Sequence, residues 1–225
     1  MIKNEEAPRT ARLLVESLAA RRGEDVIFSD LNLALGAGDA LVVTGANGTG
    51  KSTFLRVLAG LLRPDAGQVV FYDGAQEAPR PLAEASHYLG HRNAMKQELT
   101  ARENLLFWRR FCDATTTDDE FVVEEAADAV GLSDILHLPF GYLSAGQQRR
   151  LAFAKLLVAS RSVWLLDEPT TALDSQADKV FAKIIDDHRA KGGIVCAATH
   201  RQLGLLNARE LHMQGFSAGG ESAWG

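Results

Sequence analysis

One octapeptide limits the folds open to this chain more than any other feature. Gly45-Ala46-Asn47-Gly48-Thr49-Gly50-Lys51-Ser52 matches the phosphate-binding pattern G-x-x-x-x-G-K-[ST]. The pattern works only between a strand and a helix, because it needs backbone amides wrapped round an anion and a helix N-terminus pointing at it. Both flanks are present. Ala40-Leu41-Val42-Val43-Thr44 is a continuous apolar run of the kind buried on both faces of a parallel sheet. Phe54, Leu55, Leu58, Leu61 and Leu62 recur at helical spacing and predict a helix from Ser52 to Leu62, stopped by Arg63-Pro64-Asp65-Ala66-Gly67. In such a loop the glycines let the backbone approach phosphate, Lys51 reaches the β- and γ-phosphates of a nucleotide, and the Ser52 hydroxyl can ligate Mg²⁺.

The other periodicities fit an α/β fold around that unit. Upstream, Leu13-Leu14-Val15, Val26-Ile27-Phe28 and Leu31-Leu33-Leu35 are short apolar stretches split by Gly23, Asp30 and Gly36-Ala37-Gly38-Asp39, and they read as antiparallel strands joined by turns. Val69–Tyr72 and His87–Leu89 read as further strands. Thr100 and Glu103 form a capping box, and helical segments from Ala101 to about Phe111 and from about Asp118 to Val130 define a helical insert over roughly residues 98–145. Strand-helix-strand order returns with Val163–Leu166, a helix from about Gln176 to Arg189, and Gly193–Ala198, which implies a mostly parallel core sheet. One domain over 1–215 is expected, with Phe216–Gly225 as a frayed tail.

Composition excludes several function classes. With 24 basic against 29 acidic residues the net charge is −5, which is not the footprint of a nucleic-acid binder. No run approaches the 18 or so apolar residues of a spanning helix, and Met1–Arg12 lacks the apolar region of a signal peptide, so a cytosolic protein is expected. Cys112 and Cys196 are too few and too far apart for a disulfide framework or a cysteine metal site.

A phosphate loop needs a carboxylate for its metal. Asp167 and Glu168 end the run Val163–Leu166, where Asp167 can hold Mg²⁺ through water and Glu168 can act as general base, although a solvated acidic pair closing an ordinary strand has the same sequence. Leu143-Ser144-Ala145-Gly146-Gln147 opens a helix with a good N-cap at Ser144 and a glycine that lets a ligand approach.

The order phosphate loop, helical insert, Leu-Ser-Ala-Gly-Gln, apolar-Asp-Glu, Thr171-Ala172-Leu173-Asp174 and a lone His200 resembles the ATP-binding-cassette (ABC) ATPase family, over Gly45 to His200 for the motifs and about Leu13 to Met213 overall. The resemblance implies a P-loop NTPase fold of the ABC type, with a mostly parallel core sheet, an antiparallel β subdomain and a helical insert. It implies two ATP molecules sandwiched in a head-to-tail homodimer. Gly45–Thr53 of one copy would hold the triphosphate with Mg²⁺, while Ser144 and Gly146 of the other cover the γ-phosphate. Glu168 would be the base, His200 would contact the γ-phosphate, and Asp174 would line the dimer interface.

Two positions depart from the family pattern. His91, in Tyr88-Leu89-Gly90-His91, stands where most relatives carry a glutamine that contacts Mg²⁺. Its imidazole makes hydrolysis fall on protonation an expectation. Arg22 stands near the position of an adenine-stacking aromatic, and is either a flat guanidinium stacking on the base or a solvated turn arginine. Leu89-Gly90-His91, Glu98–Leu105 and Leu143–Arg150 together look like the ATPase subunits of the haem exporters used in bacterial cytochrome c maturation. That likeness implies membrane-spanning subunits and other cytochrome c maturation proteins as partners, a peripheral place on the cytoplasmic face of the inner membrane, and no haem ligand in this chain. The ATPase of another exporter, a soluble ABC switch and a non-hydrolysing nucleotide sensor are the alternatives.

Overall fold

β1 (Arg12–Arg22) and β2 (Asp25–Gly36) form an antiparallel hairpin turned at Gly23, whose φ of 64° suits a glycine. Two long strands thus replace the several short ones expected. Asp30 (φ 50°) does not end a strand but sits in a register shift opposite Ala19, next to a second shift at Ser17 (φ 44°), and Asn32 stitches the irregularity together. Its Oδ1 accepts from Ser17 N at 2.8 Å and its Nδ2 donates to Asp30 O at 2.9 Å. The computed structural model describes residues 11–74, 78–112, 118–200 and 203–215. The tail Phe216–Gly225 and the N-terminal segment before Ala11 lie outside them.

β3 (Ala40–Thr44) runs through the glycine loop into α1 (Lys51–Leu58), and β4 (Ala66–Tyr72) returns to pair with β1, completing an antiparallel sheet of order β2-β1-β4. α1 stops four residues before the expected Leu62. Gly60 takes φ 70° and turns the chain away, leaving Leu61 and Leu62 exposed although they continue the apolar period. α2 (Leu82–Ala85) leads to β5 (Ser86–Leu89). α3 (Ala101–Cys112) and α4 (Asp119–Ala129) follow, then two 3₁₀ turns and α5 (Ala145–Leu157). β6 (Val163–Asp167), α6 (Ser175–Ala190), β7 (Ile194–Ala198) and β8 (Arg209–His212) close the order. β8 has no counterpart in the sequence reading, since Arg-Glu-Leu-His carries no apolar pattern.

The second sheet is wholly parallel, in the order β5-β6-β7-β3-β8. Its central strands are apolar throughout because both faces are covered, and alternate residues divide between two cores. Val163, Leu165, Cys196, Leu41 and Val43 join Phe54 and Leu55 of α1 and the inner face of the antiparallel sheet. Trp164, Leu166, Val195 and Ala197 join α5, α6 and the helices of the insert, where Phe153 stacks on Phe181 at 3.8 Å between centroids. Burying each such side chain contributes roughly 1.5–3 kcal/mol.

The insert closes its own polar groups. Thr100 N donates to Glu103 Oε2 at 2.7 Å and Glu103 N donates to Thr100 Oγ1 at 3.1 Å, the reciprocal box expected at the start of α3. The Asn104 side chain is buried; it accepts from Lys96 N at 2.8 Å and donates to the carbonyls of Lys96, Leu99 and Thr100. These bonds pin the approach segment onto the first turn of the helix.

Candidate active site

The carboxyl ends of the parallel strands and the glycine loop enclose an open cleft of about 910 Å³. Asn47 to Thr53, Arg22, His91, Glu168, Thr171 and His200 line it. The loop keeps its shape through left-handed glycines: Gly45, Gly48 and Gly50 have φ of 132°, 84° and 100°. A Cβ on Gly45 would stand 2.1 Å from Met213 O, and one on Gly50 would stand 2.2 Å from Ile27 Cγ2, so neither position admits a side chain without displacement. α1 starts at Gly50 with no side-chain cap, which leaves its first amides facing the cleft.

Lys51 is only 7% exposed. Its Nζ is held by Gly45 O at 2.8 Å and Ala46 O at 2.9 Å, both carbonyls of the loop itself. Beside it Ser52 Oγ donates to Asp167 Oδ1 at 2.9 Å, so the loop and the end of β6 are joined by the pair of groups expected to meet a metal. The donor set suits Mg²⁺: a hydroxyl and a carboxylate offer hard oxygens, and this ion takes few protein ligands and keeps waters and phosphates for the rest.

Asp167 and Glu168 are neighbours with opposite surroundings. Asp167 is 1% exposed and both its oxygens are engaged, Oδ1 by Ser52 and Oδ2 by the Tyr88 hydroxyl at 3.2 Å. Burial pushes the Tyr88 phenol up, so it stays protonated and donates. Glu168 instead turns into the cleft on a left-handed backbone, φ 47°, a conformation costing a non-glycine residue about 1–2 kcal/mol. Its Oε1 has no hydrogen bond and lies 3.3 Å from His200 Nε2. A buried carboxylate oxygen without a hydrogen bond, facing the His200 imidazole in a cleft, can accept a proton.

His91 lies 3.8 Å from Asp167 Oδ2 and lines the same cleft, half exposed, so it stands beside the carboxylate that Ser52 and Tyr88 engage. Arg22 stands at the cleft wall near Asp25 to Ile27. Leu143–Gln147 do not line this cleft. Ser144 and Gln147 close a capping box at the start of α5, with Ser144 N donating to Gln147 Oε1 at 2.8 Å and Gln147 N donating to Ser144 Oγ at 3.2 Å. Asp174 caps α6 through Gln176 N and Ala177 N.

From the sequence, Tyr88 belongs to a strand and to the joint bearing His91, and Arg149 to the run Leu143–Arg150, neither with a site role of its own, and both turn out to touch the site. Arg149, in the second turn of α5, is 5% exposed and spreads its guanidinium over the chain around Asp167 and Glu168. Burial pulls it down to about 10, against the opposing pull of Asp167 and Glu168, so it remains a cation at neutral pH. An arginine two residues after Leu143–Gln147, with no acidic residue at helical spacing, is the faint signal that could have pointed to it.

The chain matches the ABC transporter family over residues 28–171. It is 62% identical over 213 residues to the cytochrome c biogenesis ATP-binding export protein CcmA of Rhizobium johnstonii, covering 95% of this chain and 99% of that protein. It is 61% identical over 207 residues to the protein of the same description from Rhizobium meliloti, covering 91% and 99%. Among solved structures, an ATP-binding subunit of an ABC transporter superposes with a TM-score of 0.79 at 20% identity, covering 90% of this chain and 85% of that one, a likeness of fold. The chain therefore belongs to the ABC transporter family, among the ATP-binding subunits that its cytochrome c biogenesis relatives represent.

Proposed function

We propose that this chain is the ATP-hydrolysing motor of an exporter serving cytochrome c biogenesis, peripheral to the membrane and docked on membrane-spanning subunits at the cytoplasmic face. The observation that carries the reading is the convergence of Lys51, Ser52, Asp167, Glu168 and His200 on one cleft, in a chain that shares 62% identity with an export protein over 95% of its length. No helix among the described residues is long and apolar enough to cross a membrane, which suits a subunit whose partners supply the channel.

Each residue has a task. The amides at the start of α1 receive the phosphates, and Lys51 exchanges its loop carbonyls for phosphate oxygens. Ser52 and Asp167 would hold Mg²⁺, which when bound would draw charge off the phosphate oxygens. Glu168 accepts the proton of the attacking water at Oε1, and His200 Nε2 orients the γ-phosphate against it. Arg22 stacks on the base. Ser144, Gly146 and the α5 N-terminus lie outside this cleft and serve the nucleotide of a second copy, arranged head to tail with Asp174 at the interface. ATP binding closes the pair and hydrolysis opens it.

The test is genetic and biochemical together. Deleting the gene from its own cell should abolish haem-stained c-type cytochromes, wild type should restore them, and Lys51→Ala should not. Normal cytochromes in the deletion strain would reassign the chain to another exporter or to a soluble switch.

A further inference from the structure

Glu168 sits in a conformation that its own sequence disfavours, and something must impose it. Its N–H is tied to Ala198 O of β7 at 2.8 Å, and its carbonyl accepts from Thr171 N at 3.3 Å and from Arg149 Nη2 at 2.7 Å. Arg149 also grips both neighbours, with Nη2 to Asp167 O at 3.1 Å and Nε to Pro169 O at 2.9 Å. Its remaining nitrogen, Nη1, reaches the joint that bears His91, donating to Gly90 O at 2.8 Å and Asn93 Oδ1 at 3.3 Å. All of the donors a guanidinium has are thereby used, on acceptors drawn from two separate stretches of chain.

We infer that Arg149 is a positioning residue for hydrolysis: from helix α5 it holds Glu168 in its left-handed turn and fastens that turn to the His91 joint. The inference rests on Glu168 being the base. Three consecutive carbonyls, Asp167 to Pro169, curve round one planar fork, which fixes the turn that aims the Glu168 carboxylate into the cleft. A lysine ammonium keeps the charge but presents its three donors from one point and cannot span both stretches. The Arg149 side chain does not line the cleft, so it acts through Glu168 and not on the nucleotide.

The test compares Arg149→Lys, Glu168→Gln and the double variant in the full chain purified with its membrane subunits. Turnover, nucleotide dissociation constant and melting midpoint are measured on each. Arg149→Lys should lower kcat about 10- to 100-fold with the dissociation constant within about twofold of wild type, and should add no more than about twofold to the loss caused by Glu168→Gln. The inference is overturned if Arg149→Lys turns over within twofold of wild type, if affinity and midpoint fall together with kcat, or if the two losses multiply. Should Arg149→Lys not fold, Asn93→Ala, which removes one contact, decides: a three- to tenfold fall in kcat at unchanged affinity supports it and an unchanged kcat refutes it. Wild-type turnover in Glu168→Gln would instead remove the base assignment beneath it.

Discussion

The carboxyl rim of the parallel sheet and the helical insert behind it obey opposite rules. In the insert local chemistry agrees with the fold: α3 and α5 open with capping boxes, and Asn104 leaves none of the surrounding carbonyls idle. At the rim the chain breaks those rules, with a buried lysine lying against carbonyls, a glutamate at positive φ and a buried carboxylate oxygen that has no hydrogen bond and only His200 beside it. The contrast teaches where stability and chemistry reside. Locally completed hydrogen bonds hold the starts of α3 and α5, whereas at the rim strained or incompletely bonded groups face the cleft; strain occurs elsewhere too, as at Ser17 and Asp30 in the bulged hairpin.

That division can be broken experimentally. The largest effect is expected at the rim: Lys51→Ala should weaken ATP binding at least about 100-fold, by removing the one cation inside the loop, while the melting midpoint stays near wild type. A variant that binds ATP normally would erase the distinction from its strongest side.

Next comes an interior effect remote from both regions. His87, hydrogen-bonded to Ala159 O at 2.8 Å, and His188, stacked on Trp164 at 4.0 Å, are each pulled down to about 4 by burial. A depressed folded value means that the unfolded chain binds protons more readily. Stability should therefore be complete above about pH 6.5 and fall by a few kcal/mol as the pH drops from there towards 4. Denaturant melts across that window check it, and His188→Phe should flatten the slope.

In the insert, Asn104→Ala removes a buried side chain that bonds Lys96 N and the carbonyls of Lys96, Leu99 and Thr100, and should cost about 2–3 kcal/mol in denaturant unfolding while leaving kcat below the transition within about twofold. The smallest effect is Thr100→Ala, which opens the α3 box for about 1 kcal/mol and leaves turnover alone. Loss of turnover in either folded variant would show that the insert carries chemistry as well as structure.

The same contrast explains what could be read from the sequence. The glycine loop and both capping boxes are legible because each is a local code, closed within a few residues. The apolar runs of β3, β6 and β7 are legible because burial on both faces writes itself as continuous hydrophobicity. Asp30 misleads, since a left-handed residue inside a bulge carries the same signal as a turn, and Leu61 and Leu62 extend a helical period past the glycine that ends the helix. Arg149 and Tyr88 are illegible for another reason. Their partners lie from 18 to 79 positions away, and only the packing of α5 and β5 against β6 brings them together.

Glu168→Gln measured for turnover and melting midpoint in one preparation tests the division most directly. The carboxylate, on a left-handed backbone and with one oxygen free of hydrogen bonds, predicts a fall in kcat of at least about 100-fold with ATP still bound and a midpoint no lower than wild type. Turnover within a few fold of wild type, or a midpoint that collapses with it, would contradict the claim that the rim trades local comfort for chemistry.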